Sequence, residues 1–571
     1  MSGVARIKSE FLKRDESPPA MSDGSVRPNP ADPAVPTRTR RKKEKIMTRN
    51  FGPEKVCPFI LPPYPSASAD LSCSQETDCH LVCPYADEGC RYSHDLKAAY
   101  DAKPPGLPGI CPILSSTGRC PVGIMCRWEG SHNTAIIPKV IQTKNAYANS
   151  LNQANRSRLQ KRQYPFDRSD SVIKLENKKT SMKDKATENS PDHSETGERR
   201  IGLVTDEDQI KLRPAEKRKI DFSNKLTLAP LTTVGNLPFR RICKRFGAEI
   251  TCGEMAMATQ LLQGRQSEWA LLRKHSSEDI FGVQICGGHV DSMTKAAQLI
   301  DENCEVDFVD VNCGCPLDIV WKKGAGSGLL NHGNRLESIV RSMDKVLTRA
   351  VVTVKMRAGI KENKNIAHLL IPGLQRAGAA LITIHGRSRE QRYTRLSDWD
   401  YVKQCAEIGK AGTIFGNGDV LSYEDYIQRK EASGVAGIMI ARGALIKPWI
   451  FTEIREARTW DISSNERFDI LRDYTNYGLD LWGSDTRGVE TTRRFLLEWL
   501  SFLYRYIPYG LLERGPQRIN ERPPTYFGRN DLETLMASEK SEDWIRISEM
   551  LLGPVPDGFS FTPRHKANSY H

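Results

Sequence analysis

The chain has 571 residues, more than one ordinary domain, with 83 Lys and Arg against 70 Asp and Glu for a formal net charge of +13. That balance favours phosphate-rich partners but carries no information about fold. The opening residues lack the apolar core of a secretory signal, and no apolar run approaches the ~20 residues that span a bilayer, which argues against export and a membrane anchor.

Residues 1–50 are rich in Pro, Ser, Asp and Arg, without apolar periodicity, and are expected to be disordered. Their basic cluster, Arg38, Arg40, Arg41, Lys42, Lys43 and Lys45, reads as a solvated charge run as readily as a nuclear-import or RNA-contact element. Of 15 cysteines, eight fall between Cys57 and Cys126 and seven between Cys243 and Cys405. In a reducing compartment such clustering points to metal rather than disulfides.

Two metal modules are expected over 51–133. Cys111, Cys120, Cys126 and His132, spaced C-x8-C-x5-C-x5-H, offer the closed tetrahedral S/N shell that Zn2+ prefers. A fragment so small lacks the core to fold without such a staple. The preceding unit supplies Cys83, Cys90 and His94, and its first ligand is Cys73 or Cys57, with Cys79 weaker. Cys73 gives the more compact loop and is taken as the ligand, although Cys57–Pro58 echoes Cys111–Pro112. Each unit carries an Arg-aromatic pair after its third cysteine, Arg91–Tyr92 and Arg127–Trp128, suited to stacking on unpaired bases or to covering the metal.

Residues 134–218 are polar and charged and read as a flexible linker. From 219 to 460 eight short apolar runs recur, most trailed by a helical pattern such as 336–349 or 423–430. That alternation indicates a parallel sheet covered on both faces and, at eight repeats, a (β/α)8 TIM barrel. Residues 461–553 read as a helical RNA-binding domain with basic polar faces (Arg493, Arg494, Arg505, Lys540), and 554–571 as a loose tail.

Barrel chemistry sits at the C-terminal ends of strands. Those ends hold Pro230 and Leu231, Glu254, Gln284, Asn312 with Cys315, Lys355, His385 with Arg387, Gly416-Asn417-Gly418, and Ala441-Arg442-Gly443. Glycines after strands seven and eight suit a phosphate on backbone N–H groups, and Arg442 can add a charged contact or brace the next helix. Gln284 and Asn312 match the imide edge of a flavin, and Lys355 can stabilise negative charge on the reduced ring.

The runs V-N-C-G-C-P-L-D, K-K-G-A-G-S-G-L-L, V-K-M-R-A-G, I-H-G-R-S-R-E-Q-R-Y-T, G-N-G-D-V and I-A-R-G-A resemble those of the tRNA-dihydrouridine synthases. With the fingers, the chain is similar to their eukaryotic zinc-finger branch. The resemblance places the catalytic thiol on Cys315, not Cys313, and FMN contacts on Pro230, Leu231, Gln284, Lys355, His385, Asn417, Gly418, Ala441 and Arg442. It implies reduction of a uridine C5=C6 bond in tRNA, with NADPH (NADH as the alternative) reducing the flavin and Cys315 as general acid. The variable loop of tRNA and some mRNA sites are the implied targets, and Arg387 and Arg389 the candidates for holding RNA. A cytoplasmic and nuclear monomer is expected. The competing expectations are a catalytically silent RNA-binding scaffold and a reductase of free pyrimidines.

Overall fold

Eight short parallel strands, nearly all of whose residues are buried, carry the fold of the computed structural model, which describes residues 3–13, 56–57, 60–61, 83, 90, 92–133, 146–187 and 220–564. They are Thr227–Leu228 (β1), Ile250–Cys252 (β2), Ile280–Cys286 (β3), Phe308–Cys313 (β4), Val351–Arg357 (β5), Ala379–His385 (β6), Ile414–Asn417 (β7) and Gly437–Ile440 (β8). Each pairs with the next, and β8 pairs back onto β1, which closes the barrel. All eight lie where the apolar runs predict. A two-residue strand, Ala256–Met257, also adds to β3.

The barrel is a packed core rather than a pore. Phe308 and Phe415 fill its floor with Ile250, Val351 and Leu381. A Cβ at Gly282 would strike the Phe308 ring, and one at Gly437 the Phe415 ring, so both glycines are needed for aromatic filling. The expected helices follow as Gly333–Val346 and Tyr423–Ser433; Ser422 caps the second and Gly434 ends it at φ 65°.

Beyond the barrel, Ser464–Trp482 and Thr486–Leu503 pack as a helical pair, with Gly478 allowing close approach to Thr492. Trp499 locks this pair to the barrel, edge-on to Phe239 at 5.3 Å and donating to the Leu445 carbonyl at 2.9 Å. Arg493 is not part of a basic face. It is fully buried and donates to Ser548 and to the carbonyls of Leu552, Gly553 and Pro554, because the last helix, Ser541–Leu552, ends against it.

Three expectations of disorder are corrected among the described residues. Residues 146–177 dock on the barrel instead of forming a linker. Ser169 donates to Gln298 through N–H and Oγ (3.0 and 2.7 Å), Arg168 pairs with Asp301 at 3.0 Å, and Leu159 and Val172 are buried. Residues 3–13 run along the helical domain, burying Ala5 and Ile7 against Ile507, Leu511, Leu512 and Tyr526. The tail from 554 to 564 packs Phe559 and Phe561 on the core, and the Arg564 N–H donates to Glu498. No helix among the described residues is long and apolar enough to cross a membrane.

Candidate active site and metal clusters

Strand register brings the predicted residues to one end of the barrel. Gln284 lies beside Asp310, Asn312 beside Lys355, Arg357 beside His385, and His385 beside Asn417. Asn312 donates to Gln284 Oε1 at 2.7 Å, and Gln284 donates in turn to Asp310 at 2.7 Å. The Asn312 side-chain oxygen, Oδ1, accepts the N–H groups of Gly314 and Cys315 at 3.1 and 2.9 Å. Asn312 is therefore the brace of the cysteine loop, and the amide pair is largely engaged within the protein.

Cys315 is half-buried at the mouth, whereas Cys313 is sealed in the barrel wall. Burial pushes the Cys315 thiol up, outweighing the Leu317 backbone N–H and the Arg357 charge, so it stays protonated at neutral pH. The Ser327 N–H holds the Cys315 carbonyl at 3.1 Å, and Gly326, at φ +57°, gives that loop its close approach. Burial drives Cys313 far higher still.

Lys355 reaches Asn417 Oδ1 at 3.2 Å, and Asn417 donates to the Met439 carbonyl at 2.7 Å. Burial, with the Arg357 charge, pulls the Lys355 ammonium down to about 8. His385 is held well below its usual range, first by burial and then by Arg357, Lys355, Arg387 and Arg442, and is neutral. Arg442 donates to Asp419 at 3.0 Å and lies 4.0 Å over the Tyr393 ring. Pro230 and Leu231 sit half-buried past β1, and Ala441 precedes Arg442 beyond β8. A side chain at Gly416 would strike Trp399, and one at Gly418, where φ is +144°, would strike Ser397. Glu254 accepts the Thr233 N–H at 2.6 Å and serves the loop after β1.

The two arginines expected to hold RNA have other partners. Arg387 is completely buried, paired with Asp419 at 2.5 Å and donating to the Arg395 carbonyl at 2.6 Å. Its strand-end position, two residues past His385, turns it inward, which corrects the expectation. Arg389 pairs with Asp318 at 2.5 Å, donates to the Pro316 carbonyl at 3.2 Å and lies 4.6 Å over Trp321. It fastens the loop after β6 to the cysteine loop.

Two Cys3His groups lie apart from the barrel mouth. Cys111, Cys120, Cys126 and His132 converge as predicted. In the other, Cys83, Cys90 and His94 are joined by Cys57; Cys73, expected there, lies outside the described residues. Ligand atoms in each group lie within 4.8 Å of one another. Tetrahedral Zn–S bonds place sulfurs about 3.8 Å apart. Cys111 and Cys126 are separated by 3.7 Å and Cys57 and Cys90 by 4.0 Å, so both shells fit zinc. Trp128 is buried, which corrects the stacking expectation for that module; Arg127 is buried too and donates to the Pro105 carbonyl. Tyr92 is exposed, and Arg91 lies outside the described residues.

Residues 227–476 match the family model described as Dihydrouridine synthase (Dus). Over 551 residues the chain is 52% identical to the tRNA-dihydrouridine(47) synthase [NAD(P)(+)]-like protein of Xenopus tropicalis, covering 94% of this chain and 85% of that one. The Homo sapiens protein of the same name is 48% identical over 577 residues, covering 95% and 86%. The chain belongs to the dihydrouridine synthase family. Among solved structures, morphinone reductase aligns at 13% identity and a TM-score of 0.32 over 41% of this chain and 86% of that one, too slight a likeness to carry weight.

A dihydrouridine synthase is an oxidoreductase, and the family implies a flavin. The donor set at the mouth fits FMN. Lys355, Arg357, Arg387 and Arg442 gather there against two buried carboxylates, Asp310 and Asp419, a surplus of positive charge suited to a phosphate-bearing ligand. Lys355 in particular is a half-buried ammonium whose three N–H donors can serve a further acceptor besides Asn417.

Sequence reasoning assigned no role to Arg357, Tyr393 or Asp419. Arg357 donates to the Gly314 carbonyl at 2.9 Å and the Ser388 carbonyl at 2.8 Å, tying the loops after β4 and β6 together. Tyr393 stacks on His385 at 6.2 Å, between Arg442 and Arg387. Their signal was present in V-K-M-R-A-G, R-E-Q-R-Y-T and G-N-G-D-V, runs whose polar residues stand at or just after strand ends.

Proposed function

We propose that this dihydrouridine synthase reduces the C5=C6 bond of a uridine in tRNA to 5,6-dihydrouridine. FMN is its flavin, NADPH (or NADH) the reductant, and zinc the ion of both Cys3His shells. The relatives' name carries the number 47, and the target proposed here is a uridine of the tRNA variable loop. Some mRNA sites and a monomeric, cytoplasmic and nuclear protein belong to the same proposal.

The observation that carries it is the Cys315 thiol, held at the barrel mouth by Asn312 and Ser327, with Lys355 on the adjoining strand; burial favours its protonated form. FMN, when bound, supplies the hydride that C6 of the uracil receives. Cys315 gives its proton to C5, and its raised pKa keeps that proton available at pH 7. Lys355 places a positive charge where the bound ring becomes negative, and neutral His385 offers a hydrogen bond without adding to that charge. A stacked uridine must leave its stack to reach this depth, at a cost of a few kcal/mol.

Cys315→Ala is expected to keep its flavin while dihydrouridine formation falls by about 10²-fold or more. Cys313→Ala, in the barrel wall, leaves the rate within a few-fold. Equal losses from the two, read by mass spectrometry of tRNA nucleosides, would remove the proton-donor assignment. Purified protein without flavin absorbance would favour the silent scaffold instead, and turnover of free uridine the free-pyrimidine reductase.

A further inference from the structure

Beside the thiol the chain exposes two large apolar side chains in a place where exposure is costly. Leu317 is 56% and Ile319 70% exposed, while Val320 between them and the core is buried against Cys286 and Ala325. They belong to the short helical turn Asp318–Trp321 and its N-cap Leu317, two residues after Cys315, and the Leu317 backbone N–H bonds the Cys315 side chain. Single exposed apolar residues are ordinary on protein surfaces. This pair differs because the segment that carries it is pinned. Arg389 grips Asp318, the residue between the two, at 2.5 Å and holds the Pro316 carbonyl and the Trp321 ring. Exposed Lys322 and Lys323 follow at once, and exposed Arg392 lies on the neighbouring loop.

A rigid apolar pair with a basic flank, continuous with a site that takes an extruded base, matches the chemistry of side chains that insert between bases. We propose that Leu317 and Ile319 form a wedge that enters the base stack of folded tRNA and fills the place the target uridine leaves. The wedge rests on the reading above, and it adds a task separate from proton transfer. Val320 and the Arg389–Asp318 pair hold it still, and Lys322 and Lys323 contact the phosphates alongside.

The test uses FMN-loaded full-length protein and tRNA carrying 2-aminopurine next to the uridine that the wild type is first shown to reduce. Wild type and Cys315→Ala both brighten the reporter on binding, since unstacking precedes chemistry. The double variant Leu317→Ser with Ile319→Ser loses most of that brightening and forms dihydrouridine about tenfold more slowly or worse, equivalent to 1.4 kcal/mol. Its tRNA affinity stays within about threefold, because phosphate contacts remain. Full brightening by the double variant overturns the wedge: a slowed reaction would make the pair supports of the thiol, and an unchanged one would leave it to a protein partner. If wild-type protein reduces no RNA uridine, the underlying reading fails first, a result read on the wild type alone.

Discussion

Between the two Cys3His clusters the ligand types are the same and the surroundings are not. Cys111, Cys120, Cys126 and His132 are all buried, whereas in the first cluster Cys90 is half-buried and His94 exposed. Cys120 Sγ lies 3.4 Å from Ser484 Oγ, the Arg127 N–H donates to the Ser484 carbonyl at 2.9 Å, and Trp128 belongs to the main hydrophobic core. The second module is thus a wall of the helical domain. The first rests on the second through Val56, Ala99 and Met125 and turns Tyr92 outward. One ligand pattern stands in two settings, and residues outside the pattern decide which.

The largest effect that separates them is on folding. Cys120→Ser is expected to lower the melting temperature by about 10 °C or more, because zinc bound there, as proposed, would contribute folding free energy to the helical domain. Cys90→Ser, beside an exposed histidine, leaves the main transition nearly unmoved and weakens tRNA binding instead. Matching melting curves for the two variants would break the comparison. Next in size, Trp128→Ala removes a buried indole and is expected to destabilise by about 3–5 kcal/mol in urea unfolding. Tyr92→Ala changes stability by less than about 0.5 kcal/mol but reduces tRNA affinity by about 1–3 kcal/mol if the ring stacks on a base. The smallest effect sharpens the contact itself. Ser484→Ala deletes the hydroxyl beside Cys120 and is expected to weaken zinc retention by about tenfold in competition with a chromogenic chelator, sparing the first cluster.

The barrel was legible because strands buried on both faces must be continuously apolar, and V-D-F-V-D-V-N ends in a polar loop that only a strand mouth explains. Cys315, Lys355 and His385 followed from their place after such runs. Residues 146–177 were not legible, since they dock through a few scattered apolar side chains, Leu159 and Val172 among them, and through Ser169, Arg168 and Tyr164 on polar partners, with no continuous apolar stripe to mark them. Arg387 and Arg493 misled for a related reason: charge in a sequence suggests solvent, but Asp419 and a row of helix-end carbonyls make burial satisfactory for both. The choice of Cys73 over Cys57 rested on loop length, a weak guide when doubling a loop changes closure by only about 0.6 kcal/mol.

The strap of residues 3–13 and the second metal module share a property that bears on how the molecule is made. Their partners, Ser484 in one case and Leu512 and Tyr526 in the other, lie hundreds of residues downstream. On the ribosome the beginning of the chain emerges long before the surface that covers it. The cysteines of the module and the apolar side chains of the strap therefore wait uncovered until those downstream residues have been made, and the helical domain then closes over both.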